Sequence, residues 1–156
     1  MGLFSAFNIN ASGMTAERYR MDIISENVAN ASTTRTADGT PYRRKVVSFE
    51  EKTERRNASF SHIFGKTLHD HGYVQTTGSG VRVSGVYYDN VTEMNMAYDP
   101  AHPDADENGY VMYPNVSTIT EMTNLIDASR AYQANATAFN ASKSIATSGL
   151  NLLNGQ

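Results

Sequence analysis

Cysteine and tryptophan are both absent from this chain of 156 residues. The absence of cysteine excludes disulfides and thiolate metal sites. For the same reason, cysteine usage gives no information on whether the compartment is oxidising or reducing. No run approaches the roughly 20 consecutive apolar residues that a membrane-spanning helix needs, so we expect no membrane span. The first residues hold neither a basic region nor a sustained apolar run, and we expect no cleavable export signal.

An excess of positive charge is also missing. The chain has 13 lysines and arginines against 16 aspartates and glutamates, which gives a net charge of -3 at pH 7. Nucleic-acid-binding proteins usually present a basic face, so this balance offers no basis for nucleic acid as a partner. The one basic run, Arg43 to Lys45, fits a solvated or interfacial strand edge better than a phosphate-binding patch.

Charge is scarcest at the C-terminal end, where Glu121, Asp127, Arg130 and Lys143 are the only charged residues between 115 and 156. Apolar residues there follow an alternating three-four spacing, which predicts a helix that packs against another helix. This predicted seam comprises Met122, Leu125, Ser129, Tyr132, Ala136, Phe139, Lys143, Ala146, Leu150 and Leu153. The opposite stripe comprises Asn124, Asp127, Ala131, Ala134, Ala138, Ala141, Ile145, Ser148 and Leu152.

That opposite stripe is small and nearly uncharged, although a helix face in water normally carries charge. A helix over residues 116–153 would also span nearly 60 Å at ~1.5 Å per residue, which exceeds the width of a small domain. We therefore expect other copies or other chains to cover this helix. Ala131, Ala134, Ala138, Ala141 and Ile145 are the predicted subunit-interface residues.

The N-terminal residues predict a second helix. Phe7, Met14, Met21 and Val28 are spaced seven apart, and Asn30 is a suitable terminator. The simplest closure packs the two terminal helices as an antiparallel coiled-coil hairpin, giving an α+β fold with a small β-rich middle. Residues 1–31 and 115–156 then form one helical domain, and residues 32–114 form the middle.

The middle contains turn and strand signals. The sequence DGTP at 38–41 predicts a turn, residues 42–50 a strand, and 81–88 a second strand in which Gly85 marks a bulge. Residues 50–72 predict either a mobile loop or a small extra element. Residues 99–115 contain three prolines and predict an irregular linker, with Pro114 in or just before the first turn of the long helix.

Chemical motifs are weak. Asp104, Asp106, Asn108 and Gly109 match the first half of a calcium-binding loop, but its twelfth position is Asn115, where a glutamate is needed. His69 and His71 are two residues apart without a third ligand nearby. No serine, histidine and aspartate set suggests a nucleophile. We therefore expect no enzyme, no catalytic residues, no metal and no cofactor.

Several sequence blocks together resemble the bacterial flagellar basal-body rod protein family. They are ASGMTA at 11–16, NVANAST at 27–33, GTPYRRK at 39–45, YDPAHP at 98–103, GYVMYPNV at 109–116, EM at 121–122 and ASRAYQAN at 128–135. The later blocks look most like those of the proximal rod subunit. The resemblance covers both ends and the linker before the second helix, and it departs at residues 50–80.

The resemblance implies a structural axial subunit that polymerises through its terminal helices into the torque-transmitting rod of the periplasm. It implies self-association and contact with other rod subunits, the inner-membrane ring or its adapter, and the flagellar export apparatus. Helix–helix packing is expected from Phe7, Met14, Met21, Val28, Met122, Leu125, Tyr132, Phe139, Leu150 and Leu153. Polar bonding at helix ends and between subunits is expected from Asn27, Asn30, Ser129, Arg130 and Asn135.

Three other functions stay open at this point. The chain is alternatively another rod or hook-family axial subunit. A calcium- or ligand-binding module would use residues 104–109, and a periplasmic hydrolase is the weakest alternative.

Overall fold

The computed structural model describes residues 3–52 and 78–154. Two helices flank four short strands, which form two separate antiparallel ribbons, β1–β2 and β3–β4. The elements are α1 (Leu3–Ala29), β1 (Lys45–Glu51), β2 (Val81–Tyr88), β3 (Asn95–Tyr98), β4 (Tyr110–Tyr113) and α2 (Thr118–Asn154). The α+β prediction is confirmed.

The two helices pack against each other in an antiparallel pair. The rings of Phe7 and Phe139 lie 5.0 Å apart, and at the other end Asn27 bonds to Glu121. Residue numbers thus rise along α1 as they fall along α2, which confirms the predicted hairpin. By this register the start of α1 lies near Lys143, so about three turns of α2 extend beyond the pair.

The buried seam of α2 differs from the predicted one. Ala128 is fully buried and Glu121 is 1% exposed, while Leu125, Tyr132 and Phe139 are half-buried. Met122 is 53% exposed, and Leu150, which lies beyond the end of α1, is 60% exposed. Neither residue packs in the seam of the single chain, because Glu121 takes the inner position beside Met122 through its hydrogen bonds and because α1 does not reach Leu150.

The β1–β2 ribbon contains the predicted bulge. Ser48 pairs with Gly85 and Phe49 pairs with Val83, so Ser84 is an extra residue in β2. At the far end of the ribbon, the Lys52 N–H donates to the Gly80 carbonyl at 2.8 Å. Lys52 and Gly80 are therefore neighbours at the end of the ribbon. The segment between them, residues 53–77 with His69 and His71, lies outside the described residues.

The β3–β4 ribbon replaces part of the predicted irregular linker. Met96 pairs with Met112 and Tyr98 with Tyr110, although prolines and turn residues hide this alternation in the sequence. Pro114 also lies farther from α2 than predicted. The helix begins at Thr118, after Ser117, whose carbonyl accepts the Glu121 N–H at 2.9 Å.

Gly13 is buried on α1 and faces Asn135 of α2. A Cβ at this position would come within 2.8 Å of the Asn135 side-chain oxygen. Alanine is a better helix former than glycine by about 1 kcal/mol, but here it must displace the Asn135 amide.

We therefore predict that Gly13→Ala raises the free energy of unfolding by less than the value that helix propensity alone predicts. In an Asn135→Ala background the same change should gain at least about 0.5 kcal/mol more, because the obstacle is gone. Urea unfolding followed by circular dichroism measures all four chains of this double-mutant cycle. Equal effects of Gly13→Ala in both backgrounds would contradict the close contact.

Candidate subunit interface and its polar anchor

A buried amide joins the end of α1 to the start of β1. Asn27 is fully buried, and its nitrogen donates to the Lys45 carbonyl at 2.9 Å and to Glu121 Oε2 at 3.0 Å. Its oxygen accepts the Tyr42 hydroxyl and the Lys45 N–H, both at 2.9 Å. All four bonds that an asparagine side chain can form are therefore made.

Glu121 is a buried carboxylate with a paired charge. Its Oε1 accepts Arg44 Nε at 3.0 Å, Arg44 Nη2 at 2.8 Å and the Asn124 amide at 3.2 Å. The remaining Arg44 nitrogen, Nη1, lies 3.5 Å from Asp89 Oδ2. The charge of Glu121 is thus compensated inside the fold, as a buried carboxylate requires.

Asn115 ties the loop after β2 to the same group. Its oxygen accepts the Arg44 N–H at 2.9 Å, and its nitrogen donates to the carbonyls of Asp89 at 2.9 Å and Thr92 at 3.1 Å. Asn27, Tyr42, Arg44, Asn115 and Glu121 form what we call the polar anchor. It joins α1, β1, the β2–β3 loop and α2.

Three pKa values shift around the polar anchor. Burial, followed by the nearby Glu26 charge, raises the pKa of Tyr42 to about 12. The hydrogen bond to Glu26 raises the pKa of Lys45. The backbone N–H of Thr92 is the main cause of a lowered pKa at Asp89. Each group therefore keeps its usual protonation state at neutral pH.

Sequence reasoning singled out Asn27 but missed the roles of Tyr42, Arg44, Asn115 and Glu121. All four lie in the blocks that carry the family resemblance. The available signal was Glu121 itself, because an isolated carboxylate in a charge-poor helix needs either water or a buried partner.

The other polar residues from the family blocks lie elsewhere. Asn30 bonds to the Glu26 carbonyl at 2.9 Å and to the Thr33 hydroxyl at 3.1 Å, and so caps α1. Asn135 donates to the Ala131 carbonyl at 3.0 Å. Ser129 is half-buried and Arg130 is exposed. Intersubunit bonding by these residues stays a prediction.

The predicted packing residues of α1 are all half-buried; they are Phe7, Met14, Met21 and Val28. On α2 the Leu153 side chain lies outside the described part of the structure. The interface stripe faces away from α1 for most of its length: Ala134, Ala138 and Ala141 are exposed, Ile145 is 67% exposed, and Ala131 is half-buried.

Larger apolar side chains extend this exposed surface of α2. Ile119 is 81% exposed, Ile126 53% and Leu152 80%. Exposed apolar side chains gathered along one helix usually mark a site of association. We call this surface the α2 outer face, and it is the candidate subunit interface.

The residues of the calcium-like loop serve other bonds. Asp104 accepts the Thr34 hydroxyl at 2.8 Å and lies 3.6 Å from Arg35, and Asp106 accepts the N–H groups of Asn108 and Tyr110. Within residues 3–52 and 78–154 no three histidine or acidic side chains gather into a metal site. In the same residues no helix has both the length and the apolar character that a membrane crossing requires.

Asn27→Asp tests the polar anchor. The new carboxylate would lose both donated bonds and face Glu121, so we predict a loss of about 2–4 kcal/mol in the free energy of unfolding at neutral pH. The loss should shrink toward acid pH, because the substituted side chain can again donate once it is protonated. Urea unfolding across this pH range measures it, and the control Asn8→Asp, on the exposed face of α1, should change little.

Tyr42 gives a second test, at alkaline pH. Its folded pKa lies above the ordinary value of 10.0, so the stability it supports is present below pH 10.0 and falls as the pH rises toward about 12. We predict that Tyr42→Phe is less stable at neutral pH but loses less stability through this alkaline window. The matched control is Tyr98→Phe, at a 67% exposed position, which should follow the parent chain.

Comparisons with known proteins agree with this arrangement. The family described as "Flagella basal body rod protein" matches residues 7–35, and "Flagellar basal body rod FlgEFG protein C-terminal" matches residues 107–152. The first match covers most of α1, and the second covers β4 and nearly all of α2.

Full-length relatives are also similar. Flagellar basal-body rod protein FlgC of Borreliella burgdorferi is 45% identical over 99% of this chain and 100% of that protein. FlgC of Bacillus subtilis is 41% identical over 97% and 99%, and FlgC of Salmonella typhimurium is 36% identical over 97% and 98%. The chain therefore belongs to the FlgC family of flagellar basal-body rod proteins.

Proposed function

We propose that this chain is a structural subunit of the flagellar basal-body rod, where it assembles with copies of itself and with other rod subunits. The observation that carries the proposal is the α2 outer face. It runs along a long helix, it is nearly uncharged, and in the single chain it faces solvent. Exposed apolar side chains are unfavourable in an isolated domain, whereas neighbouring subunits of a polymer cover them.

The two ends of the chain support different contacts in this proposal. Residues 1–31 and 115–156 form the inner tube of the rod, and residues 32–114 lie outside it. The inner tube has lateral neighbours along the α2 outer face, and the last turns of α2, which extend beyond α1, reach an axial neighbour. Ala131, Ala134, Ala138, Ala141 and Ile145 contact neighbouring subunits.

The proposal also covers location and export. The rod crosses the periplasm and transmits torque, and the chain reaches it unfolded through the flagellar export apparatus without a cleaved signal. A chain without cysteine can form no disulfide on that route. The inner-membrane ring or its adapter is the partner at the base of the rod. The role is structural and not enzymatic.

The alternatives lose support on specific grounds. A calcium-binding module would need Asp104 and Asp106, whose carboxylates already accept hydrogen bonds within the fold. A different axial subunit fits less well than FlgC, since the FlgC relatives match over nearly the whole chain.

Charge on the α2 outer face tests the proposed assembly. Ala134→Glu and Ala138→Glu exchange one good helix former for another at exposed positions, so the free energy of unfolding of the monomer should change by less than about 0.5 kcal/mol. In an assembled rod each change buries an unpaired carboxylate, which costs roughly several kcal/mol per subunit. We predict normal export and no rod.

The measurements are export into the medium, basal-body purification and swimming. Ala134→Ser and Ala138→Ser are the matched controls, because serine is small and uncharged, and both should swim. Motile cells carrying either glutamate variant would show that this stripe faces solvent in the assembly. That result would remove the main support for the proposal.

A further inference from the structure

The β3–β4 ribbon presents an apolar face that the described part of the chain does not cover. Met96 and Met112 form one cross-strand pair on this face, and Tyr98 and Tyr110 form the next, with ring centroids 5.3 Å apart. These side chains are 44% to 67% exposed, whereas Val111 on the opposite face is fully buried. We call the exposed side the Met/Tyr face.

The rim of the Met/Tyr face is acidic. Glu93 precedes β3, Asp99 follows it, and Asp106 and Glu107 precede β4, and all four are exposed. No described lysine or arginine forms an ion pair with any of them. The whole segment 83–129 contains eight acidic residues and no lysine or arginine. A partner for this surface must therefore be both apolar and basic.

The chain itself carries such a surface. A groove between α1 and β2 is lined by apolar side chains that include Ala11, Tyr19 and Val81, and by the cations Lys52 and Arg82. Both cationic side chains are exposed, and Arg82 also pairs with Glu50 on the neighbouring strand. Eleven of the 13 lysines and arginines lie between residues 18 and 82, and two of them, Lys52 and Arg82, line this α1–β2 groove.

One chain cannot place its own ribbon in its own groove. Asn95 donates to the Pro114 carbonyl at 2.9 Å, which holds the ribbon beside the start of α2 and hence near Asn27. Thr15, in the groove wall, lies about 18 Å farther along α1 at ~1.5 Å per residue. The ribbon is four residues long, and its base is fixed.

We propose that the Met/Tyr face of one copy docks into the α1–β2 groove of a second copy of this chain. The apolar side chains then leave water, and the acidic rim lies against Lys52 and Arg82 of the neighbour. The two surfaces differ, so the contact is head-to-tail and can repeat along a polymer. This inference rests on the proposed function and adds a subunit contact separate from the α2 outer face.

Cysteine cross-linking tests the docking, because the chain has no cysteine of its own. Met96→Cys and Thr15→Cys are placed in separate full-length chains, mixed at high concentration and treated with a short bis-maleimide. The expected product is a dimer that contains one chain of each kind. Met96→Cys with Asp38→Cys, at an exposed turn outside the groove, should yield about tenfold less. Equal yields would overturn the proposal.

Charge reversal tests the complementarity in the same assay. Asp99→Lys with Glu107→Lys on the Met96→Cys chain should lower the yield about tenfold, and so should Lys52→Glu on the Thr15→Cys chain, where Arg82 is kept because it pairs with Glu50. Combining both reversed chains should restore the yield to within about threefold, because the charges are opposite again. Unchanged circular-dichroism unfolding curves for each variant show that the fold is intact. Failure of the combination to recover would overturn the proposal.

The other occupants give different products. If another part of the same chain covered the Met/Tyr face, Met96→Cys and Thr15→Cys chains would form no mixed dimer above the yield of the Asp38→Cys control, and the proposal would be wrong. Failure of the proposed rod function would be distinguishable, since it would appear as absence of the unmodified chain from purified basal bodies, whatever the outcome of cross-linking.

Discussion

The hydrogen bond between Asn27 and Glu121 joins two residues 94 positions apart, and the rest of the fold depends on it. Asn27 also forms two hydrogen bonds with the backbone of Lys45, the first residue of β1. Glu121 accepts a hydrogen bond from Arg44, the residue just before that strand. Apolar contacts alone would let two helices slide past each other by a turn, whereas a fully bonded amide allows one register. A buried polar group of this kind specifies an arrangement more than it stabilises one.

The position of the polar anchor explains why the helix pair can leave one face bare. Both helices are fixed at the end where they meet the strands, by bonds that do not involve the α2 outer face. Farther along, the crossing relies on small residues such as Gly13 and Ala16, and α2 finally extends beyond α1 alone. Local stability should therefore fall from the anchored end of the helix pair toward its free end. Such a gradient is expected for the end of α2 if a neighbouring subunit orders it.

Sequence periodicity was sufficient to predict the helices and the Gly85 bulge, because each leaves a local pattern, and the antiparallel pairing followed from the simplest closure of the chain between the two helices. The seam was displaced at Met122 because heptad reasoning seeks apolar residues, whereas Glu121 and Asn135 occupy inner positions. The β3–β4 ribbon was missed since its strands have four residues each and lie among prolines and turns. The polar anchor could not be predicted from periodicity, because its partners come from four distant segments. In the sequence, its residues stood out only because they belong to the blocks that resemble the rod protein family.

Charge segregation links the single chain to a directional polymer. The net charge of -3 is unevenly distributed along the sequence. Segment 83–129 contains acidic but no basic residues, and the N-terminal part contains most of the lysines and arginines. Inside the fold, Arg44 and Arg35 neutralise only part of this segment, through Asp89, Glu121 and Asp104. The remaining acidic charge lies around the Met/Tyr face, at the opposite end of the hairpin from the free turns of α2. Two unlike surfaces that lie apart on one subunit favour the head-to-tail contacts from which a rod is built.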